Sequence, residues 1–162
     1  MPMEAALTVA SQMFRTNNRY LAKCIDGLTA EEWRACPCET SNSMLWIVGH
    51  LVWARSTVLK VLGAPWTKPW LAQFARGTKP GDSAQYPSSE EVVLAWQEAS
   101  AALTAALEAA RAETLSAAVG ERSPSFDGTI GGLVNFLAYH EAYHGGQAAY
   151  LRRWLGHDGI AG

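Results

Sequence analysis

Three of the four histidines occur in a pattern that predicts a metal-binding site. His140 and His144 are four residues apart, so a helix would place both side chains on the same face. Leu137 and Leu151 make that face apolar, and a buried polar group without a hydrogen bond costs roughly 1–3 kcal/mol. One divalent cation would satisfy both imidazoles, and His50 would supply a third ligand from a neighbouring helix. Three imidazoles leave coordination positions open for water or substrate, as catalytic metal sites do.

The same histidines also fit a structural role. A single histidine in an apolar helix is more often a hydrogen-bonded core residue than a metal ligand, whereas a pair with a third histidine in another apolar segment favours metal binding. The alternative to an enzyme is a non-catalytic metal-binding or structural bundle, in which the histidines satisfy one another and the apolar helix around His50 serves dimerisation. The fourth histidine, His157, lies in a glycine-rich tail and is predicted to be solvated.

Residues 140–144 read HEAYH, which matches the H-E-x-x-H pattern of zinc peptidases, where the glutamate activates a metal-bound water. Glu141 is therefore a candidate general base. Such peptidases take a third ligand further along the chain, but this sequence has Tyr150 at the metzincin position and no glutamate after Glu141. No alternating strand pattern that could align a peptide is present. A zinc hydrolase is consequently the less favoured enzyme.

Two residues beside the histidines have alternative roles. Glu141 is offset by about 100° from His140 around a helix, so it fits a salt bridge or a dimer contact as well as a general base. Gln147 lies one turn beyond His144. It could orient a metal ligand or a metal-bound water through a hydrogen bond, or bond to backbone in the core.

Two long helices are predicted before residue 63. Apolar residues one heptad apart, at positions 7, 14, 21 and 28, mark the first. A capping box between Thr29 and Glu32 then predicts a short helix that must stop before Pro37. N-cap candidates at 41–43 begin the second long helix, which runs from Met44 to about Leu62 and is apolar on more than one side. Burial of that helix on several sides would place its histidine inside the fold.

A long crossover and two further helices follow. Residues 63–87 contain four prolines and three glycines among aromatic residues, which predicts an ordered crossover, since disordered linkers rarely carry many aromatics. A capping box from Ser88 to Glu91 begins the third helix, and the fourth runs from about Ile130 to Leu155. The predicted fold is all-α, a four-helix bundle with a long crossover between helices 2 and 3. We expect one domain over residues 1–156 and a C-terminal tail over 157–162.

Composition and charge argue against several partners. Thirteen basic and fifteen acidic residues give a formal net charge of −2, so neither nucleic acid nor a membrane surface is an expected partner. The sequence has no run of about 18 apolar residues and no secretion signal, which favours a cytoplasmic location. Cys24, Cys36 and Cys38 are odd in number and are interpreted as reduced thiols that are incidental to the site.

Three segments resemble the DinB-like, or YfiT-like, superfamily of metal-dependent enzymes. They are residues 43–51 (SMLWIVGHL), residues 140–147 (HEAYHGGQ) and residues 86–91 (YPSSEE), the last at the start of the third helix. The resemblance extends over nearly the whole chain and omits only the glycine-rich tail. It implies a four-helix bundle with a long crossover, frequently homodimeric, that holds zinc or nickel through His50, His140 and His144.

The resemblance also implies a reaction class. Characterised relatives include transferases and isomerases that use a low-molecular-weight thiol, namely bacillithiol, mycothiol or glutathione, and a metal-bound thiolate would attack the small-molecule substrate. A divalent metal lowers the pKa of a bound thiol, which makes this chemistry reasonable here. A thiol S-transferase is therefore the expected activity, although a three-imidazole site suits zinc, nickel, copper and iron alike.

Overall fold

Residues 4–78 and 85–160 are described in the computed structural model, and their regular secondary structure is helical. The helices are α1 (Thr8–Ile25), α2 (Met44–Val61), α3 (Ser89–Ala109), α4 (Ala112–Ser116) and α5 (Ile130–Trp154). Two 3-10 turns, Ala5–Leu7 and Leu71–Phe74, accompany them, and one isolated β-bridge joins Ala118 to Thr129. The predicted all-α fold is confirmed. In the described ranges, no helix combines the length and the apolarity needed to cross a bilayer.

Polar caps begin the helices that follow the loops. The Ser43 hydroxyl accepts a backbone hydrogen bond at 3.2 Å at the start of α2, and the Thr129 hydroxyl accepts one at 3.0 Å at the start of α5. Ser88 begins α3 with the predicted capping box. Each hydroxyl satisfies a backbone N–H that a helix leaves unpaired in its first turn. After α2, Gly63 has a φ of 80°, which glycine adopts without strain and which ends the helix near its predicted boundary.

The four long helices pack around a shared core. α1 lies against α5, α5 against α2, α2 against α3, and α1 also contacts α3. The short α4 packs on α5. Every residue from Ser43 to Val52 is buried, because α2 contacts α3, α5 and the Leu71–Phe74 turn. This confirms the prediction that α2 is buried on more than one side, which explains why it is apolar on more than one side.

A buried ion pair joins α2 to α5. Arg55 Nε and Nη2 donate to the two carboxylate oxygens of Glu141 at 2.8 and 2.7 Å, and both side chains are nearly inaccessible to solvent. Arg55 Nη1 donates to the Ser100 hydroxyl, and the guanidinium lies 3.6 Å from the centre of the Trp96 ring. Both of these partners are on α3. The paired, hydrogen-bonded charges therefore fix the register of three helices at one point of the core.

The segment between α1 and α2 differs from its prediction. The Thr29 capping box forms, with bonds of 2.8 and 3.2 Å to and from Glu32, but hydrogen-bonded turns follow it instead of a short helix. The interval before Pro37 is short, and Trp33 is its one buried residue. The Trp33 and Ala35 N–H groups each donate to a carbonyl four residues back, but Arg34 between them donates to Glu31, three residues back, so consecutive α-helical bonds do not form. The pattern also did not predict α4.

The crossover after α2 is ordered where it is described. Leu71 and Phe74 are 4% and 0% exposed and belong to the core that includes α2. Aromatic side chains anchor this segment, as the sequence predicts. The part of the predicted crossover at 79–84 lies outside the described residues.

The segment after α5 packs against the loop that follows α1. His157 Nε2 lies 2.9 Å from Glu32 Oε1, and both side chains are 25% exposed. Arg152 Nη1 donates to the Asp26 carbonyl at 2.6 Å. The prediction that His157 is solvated is wrong, because its side chain is only partly exposed and pairs with Glu32. No local pattern indicates this pair, since the two residues are 125 positions apart in the chain. The domain boundary at residue 156 stays a prediction.

Replacing Arg55 is expected to destabilise the fold. In metal-free protein, Arg55→Leu should lower the free energy of unfolding by about 3–5 kcal/mol, because the Glu141 carboxylate is left buried without its counter-charge. The double variant with Glu141→Leu should recover most of this loss, since no unpaired charge remains. Denaturant titration followed by circular dichroism measures both effects.

Arg15→Leu is the matched control, because Arg15 pairs with Glu108 on the surface, where the side chains are 62% and 59% exposed. That exposed pair should contribute less than about 1 kcal/mol. Equal losses from the Arg55 and Arg15 variants would contradict the role given to the buried pair.

Candidate metal centre

The structure brings His50, His140 and His144 together between α2 and α5. His140 Nε2 lies 3.1 Å from His144 Nε2 and 3.3 Å from His50 Nε2. The potential ligand atoms of the three side chains all lie within 4.8 Å of one another. His50 and His144 are 4% and 7% exposed. In residues 4–78 and 85–160, this is the one group of three histidine, cysteine or acidic side chains that could hold a metal ion.

The spacing of these nitrogens fits a metal. A tetrahedral ion with metal–nitrogen distances of about 2.0–2.1 Å separates its nitrogen ligands by about 3.3–3.4 Å. Octahedral coordination at similar distances gives about 3 Å. The separations of 3.1 and 3.3 Å in this cluster fall in that interval. His140 is therefore spaced from each of the other two imidazoles as in a metal site, while all three ligand atoms lie within 4.8 Å of one another.

Hydrogen bonds orient two of the imidazoles towards the centre of the cluster. His50 Nδ1 donates to the Phe74 carbonyl at 2.7 Å, and His144 Nδ1 donates to Gln147 Oε1 at 2.7 Å. A nitrogen that donates in this way leaves the other ring nitrogen with a bare lone pair. Two lone pairs then face His140 Nε2, which carries at most one proton. One donor cannot serve both acceptors, but a cation can serve all three nitrogens.

A glycine permits the bond that orients His50. A Cβ built on Gly49 would lie 2.6 Å from the Phe74 ring, which is closer than real Cβ contacts allow. Phe74 is fully buried, so its ring has little room to move. Glycine therefore lets the Leu71–Phe74 turn approach α2 and present its carbonyl to the histidine. The helical pattern did not predict this role, although a glycine inside a buried helix is a signal that another segment approaches closely.

Aromatic rings enclose the imidazole of His50. Trp46 stacks on one side with ring centroids 4.7 Å apart and an interplanar angle of 9°. Trp53 stacks as well, at 5.4 Å and 20°. These rings take the place of water around the imidazole and hold its plane. They raise the cost of a charged imidazole and favour the neutral, metal-binding form.

Burial lowers the pKa of all three histidines and is the largest cause in each case. The pKa falls to about 4 for His140 and to about 4 for His144. The charges of His144, His50 and Arg76 lower the pKa of His140 further, while the hydrogen bond to Gln147 partly opposes the effect of burial on His144. The imidazoles are therefore neutral near pH 7, with lone pairs available to a metal.

The other sequence-predicted residues lie around this cluster. Gln147 is in contact with His144, and its amide also donates to the Tyr143 hydroxyl at 3.1 Å, which supports the orientation of its oxygen towards the imidazole. Glu141 points into the core, where Arg55 occupies both carboxylate oxygens. Of the alternatives for Glu141, this placement supports the salt bridge. It does not support a general base at the metal or a zinc hydrolase.

The cysteines lie apart from the histidine cluster. Cys24 is buried, whereas Cys36 and Cys38 are exposed, and all three are free thiols. Hydrogen bonds from Ser41 and Thr40 lower the pKa of Cys38 to about 7. None of the three belongs to the group that could hold a metal in the described ranges.

A pocket of about 330 Å³ reaches the cluster at His140. Trp53 and Phe136 form part of its wall. The volume is at the small end of the range for ligand sites in proteins. A small molecule in this pocket would contact the same imidazole that faces both other histidines.

The comparison with protein families gives a match over most of the chain. The model of the DinB superfamily matches residues 13–148, a range that contains all three clustered histidines. The chain belongs to the DinB superfamily, as the sequence motifs predict. A search of curated proteins found no match.

Replacing Gln147 is expected to weaken metal binding. Gln147→Leu should lower the affinity for Zn²⁺ by about 10–100-fold, because His144 loses the acceptor that orients it. Gln147→Glu should retain most of the affinity, since a carboxylate also accepts from Nδ1. Competition with a chromogenic chelator measures both affinities. Wild-type affinity in the leucine variant would contradict the positioning role.

The metal-free protein is expected to lose stability in mild acid. Unfolded histidines titrate near 6.5, whereas His140 and His144 titrate at about 4 in the folded chain. Between these values the unfolded state binds more protons, so the free energy of unfolding must fall as the pH falls. Denaturant unfolding at about pH 7 and about pH 5 measures this slope. His140→Gln should flatten the slope, and an unchanged slope in that variant would contradict the assignment.

Proposed function

We propose that the protein is a divalent-metal-dependent enzyme that binds zinc or nickel through His50, His140 and His144 and acts as a thiol S-transferase. The observation that carries the proposal is the convergence of three imidazoles on one point. His140 Nε2 lies 3.1 Å from His144 Nε2 and 3.3 Å from His50 Nε2. Three protein ligands leave coordination positions free, which is typical of catalytic rather than structural sites. The thiol as co-substrate follows from the resemblance to thiol-dependent members of the superfamily.

The chain holds two of the three imidazoles in a fixed orientation. The Phe74 carbonyl and the Gln147 amide fix the imidazoles of His50 and His144. The Arg55–Glu141 pair fixes α2 against α5 next to the site, since Glu141 directly follows His140 in the chain. Preorganised ligands of this kind reduce the cost of binding the cation. Burial keeps the imidazoles neutral, so that protons do not compete for the ligand positions near pH 7.

The chemistry of the reaction then depends on the bound cation and on the pocket. A divalent cation supplies a positive charge that lowers the pKa of a thiol, so that the sulfur is nucleophilic near neutral pH. Trp53 and Phe136 provide an apolar wall beside His140. Their role is to exclude water and hold the substrate in reach of the sulfur.

A non-catalytic histidine cluster is the second candidate. His140 Nε2 lies within hydrogen-bond distance of both other imidazoles, so the cluster could partly satisfy itself. The homodimer expected from the resemblance fits either candidate and stays a prediction. The two candidates differ in turnover, and a purely structural cluster would differ in metal content as well.

Metal content tests the proposed site. Protein purified without an affinity tag should contain about one zinc or nickel per chain by elemental mass spectrometry, because three convergent imidazoles form one site. His144→Ala should lose this metal. His157→Ala is the matched control and should retain it, since His157 bonds to Glu32 outside the cluster. Equal metal in the His144 variant, or none in the wild type, would contradict the site.

Turnover then separates the enzyme from the metal binder. Bacillithiol, mycothiol and glutathione should each be assayed with 1-chloro-2,4-dinitrobenzene as electrophile, which gives a coloured thioether and chloride. Activity should require the metal, disappear with a chelator and return with added Zn²⁺ or Ni²⁺. Full metal content without turnover of any thiol would favour the non-catalytic candidate.

A further inference from the structure

The pocket at His140 contains two arginines from separate segments of the chain. Arg76 follows the Leu71–Phe74 turn, and Arg122 lies in the loop between α4 and α5. Both line the same pocket, together with Trp53. The protein as a whole has a formal net charge of −2, so a pair of cations at this point is a local feature rather than a reflection of a basic surface.

Neither arginine forms an ion pair with a carboxylate of the described residues. The pocket's described lining includes no aspartate or glutamate. The ion pairs found in residues 4–78 and 85–160 involve Arg15, Arg55, Lys68 and His157, and leave Arg76 and Arg122 without a carboxylate partner. Two like charges that share a pocket repel each other unless an anion lies between them. The pocket is therefore complementary to a negative charge.

The backbone that carries Arg122 is held in place. The β-bridge between Ala118 and Thr129 closes the loop, and Val119 N–H donates to the Gly128 carbonyl at 2.9 Å. Within the loop, Ser123 N–H donates to the Gly120 carbonyl at 2.8 Å. These bonds fix the point from which the arginine side chain extends. Its presence in the pocket does not depend on an unsupported loop.

The rest of the pocket is largely apolar. Its walls include Trp53, Leu133, Phe136 and Leu137. His140 lines the end of the pocket that adjoins the histidine cluster. A volume of about 330 Å³ suits a small molecule rather than a peptide or a polymer. Cationic groups beside aromatic walls fit a ligand that combines a charged group with an apolar body.

We propose that Arg76 and Arg122 bind the carboxylate of a small organic acid, with its apolar part against Trp53 and Phe136 and its reactive part at His140. The inference rests on the proposed function in treating His140 as the reactive end of the pocket. The carboxylate belongs either to the electrophilic substrate or to the thiol. Binding by two guanidinium groups would select anionic molecules over their neutral analogues.

Calorimetric titration of the metal-free full-length protein tests the inference, because the carboxylate cannot then bind to a metal. The probes are 2-naphthoate and its neutral analogue 2-naphthol. We expect 2-naphthoate to bind more tightly by about tenfold or more, as charged hydrogen bonds imply. Arg76→Gln and Arg122→Gln should each weaken its binding by about tenfold and leave binding of 2-naphthol unchanged.

Arg111→Gln is the matched control, since it removes the same charge from an exposed arginine outside the pocket. It should leave the affinity for 2-naphthoate unchanged. Because all three arginines are exposed, the variants should fold, and circular dichroism verifies this. Equal binding of both probes, or equal effects of all three substitutions, would overturn the inference.

Two further measurements show whether the thiol or the electrophile carries the carboxylate, and they separate this inference from the proposed function. Displacement of 2-naphthoate by glutathione from metal-free protein would assign the arginines to the thiol, and failure to displace it would assign them to the electrophile. If the metal-free protein binds 2-naphthoate no better than 2-naphthol, while the purified protein contains one metal per chain, only the carboxylate site is overturned. Arginine-dependent binding in a protein that never acquires metal would contradict only the proposed function.

Discussion

Between α2 and α5, charged and polar side chains are buried in an interface that is otherwise apolar, and each of them needs a partner there. Arg55 and Glu141 pair through two short hydrogen bonds, and the Ser100 hydroxyl accepts a further one from Arg55. The three histidines do not satisfy one another, because two of them present lone pairs to a third that has at most one proton to offer. The charges of the ion pair are satisfied within the chain. The histidine cluster keeps an unpaired lone pair that a cation would satisfy. The fold and the site thus depend on the same requirement, which the protein meets alone at the ion pair and which the proposed metal would meet at the histidines.

The sequence predicted the parts of this arrangement that have a local signature. The i, i+4 spacing of His140 and His144 requires only that the segment is helical, and the capping residues Ser43 and Ser88 mark helix starts that are confirmed. The apolar residues around His50 indicated burial on several sides, which the structure shows. These features follow from the period of a helix and from its unpaired ends, so a single sequence is sufficient to read them.

The remaining features depend on contacts between distant segments. Nothing in the period of α2 indicates that Arg55 meets Glu141, 86 residues away, although a charge on the apolar side of a buried helix is a signal that a partner exists. The bond between His157 and Glu32 and the shared pocket of Arg76 and Arg122 have no local signature at all. The turn after Thr29 shows the converse case, in which a correct cap is followed by turns rather than by a helix.

The bond between His50 and the Phe74 carbonyl has a consequence for the lifetime of a bound ion. The histidine belongs to a core helix, but its acceptor belongs to the crossover, whose buried Leu71 and Phe74 pack on α2 at Gly49. Opening of the crossover would therefore remove the acceptor of His50 and expose core side chains in the same step. Release of an ion held at this site would then be coupled to that opening.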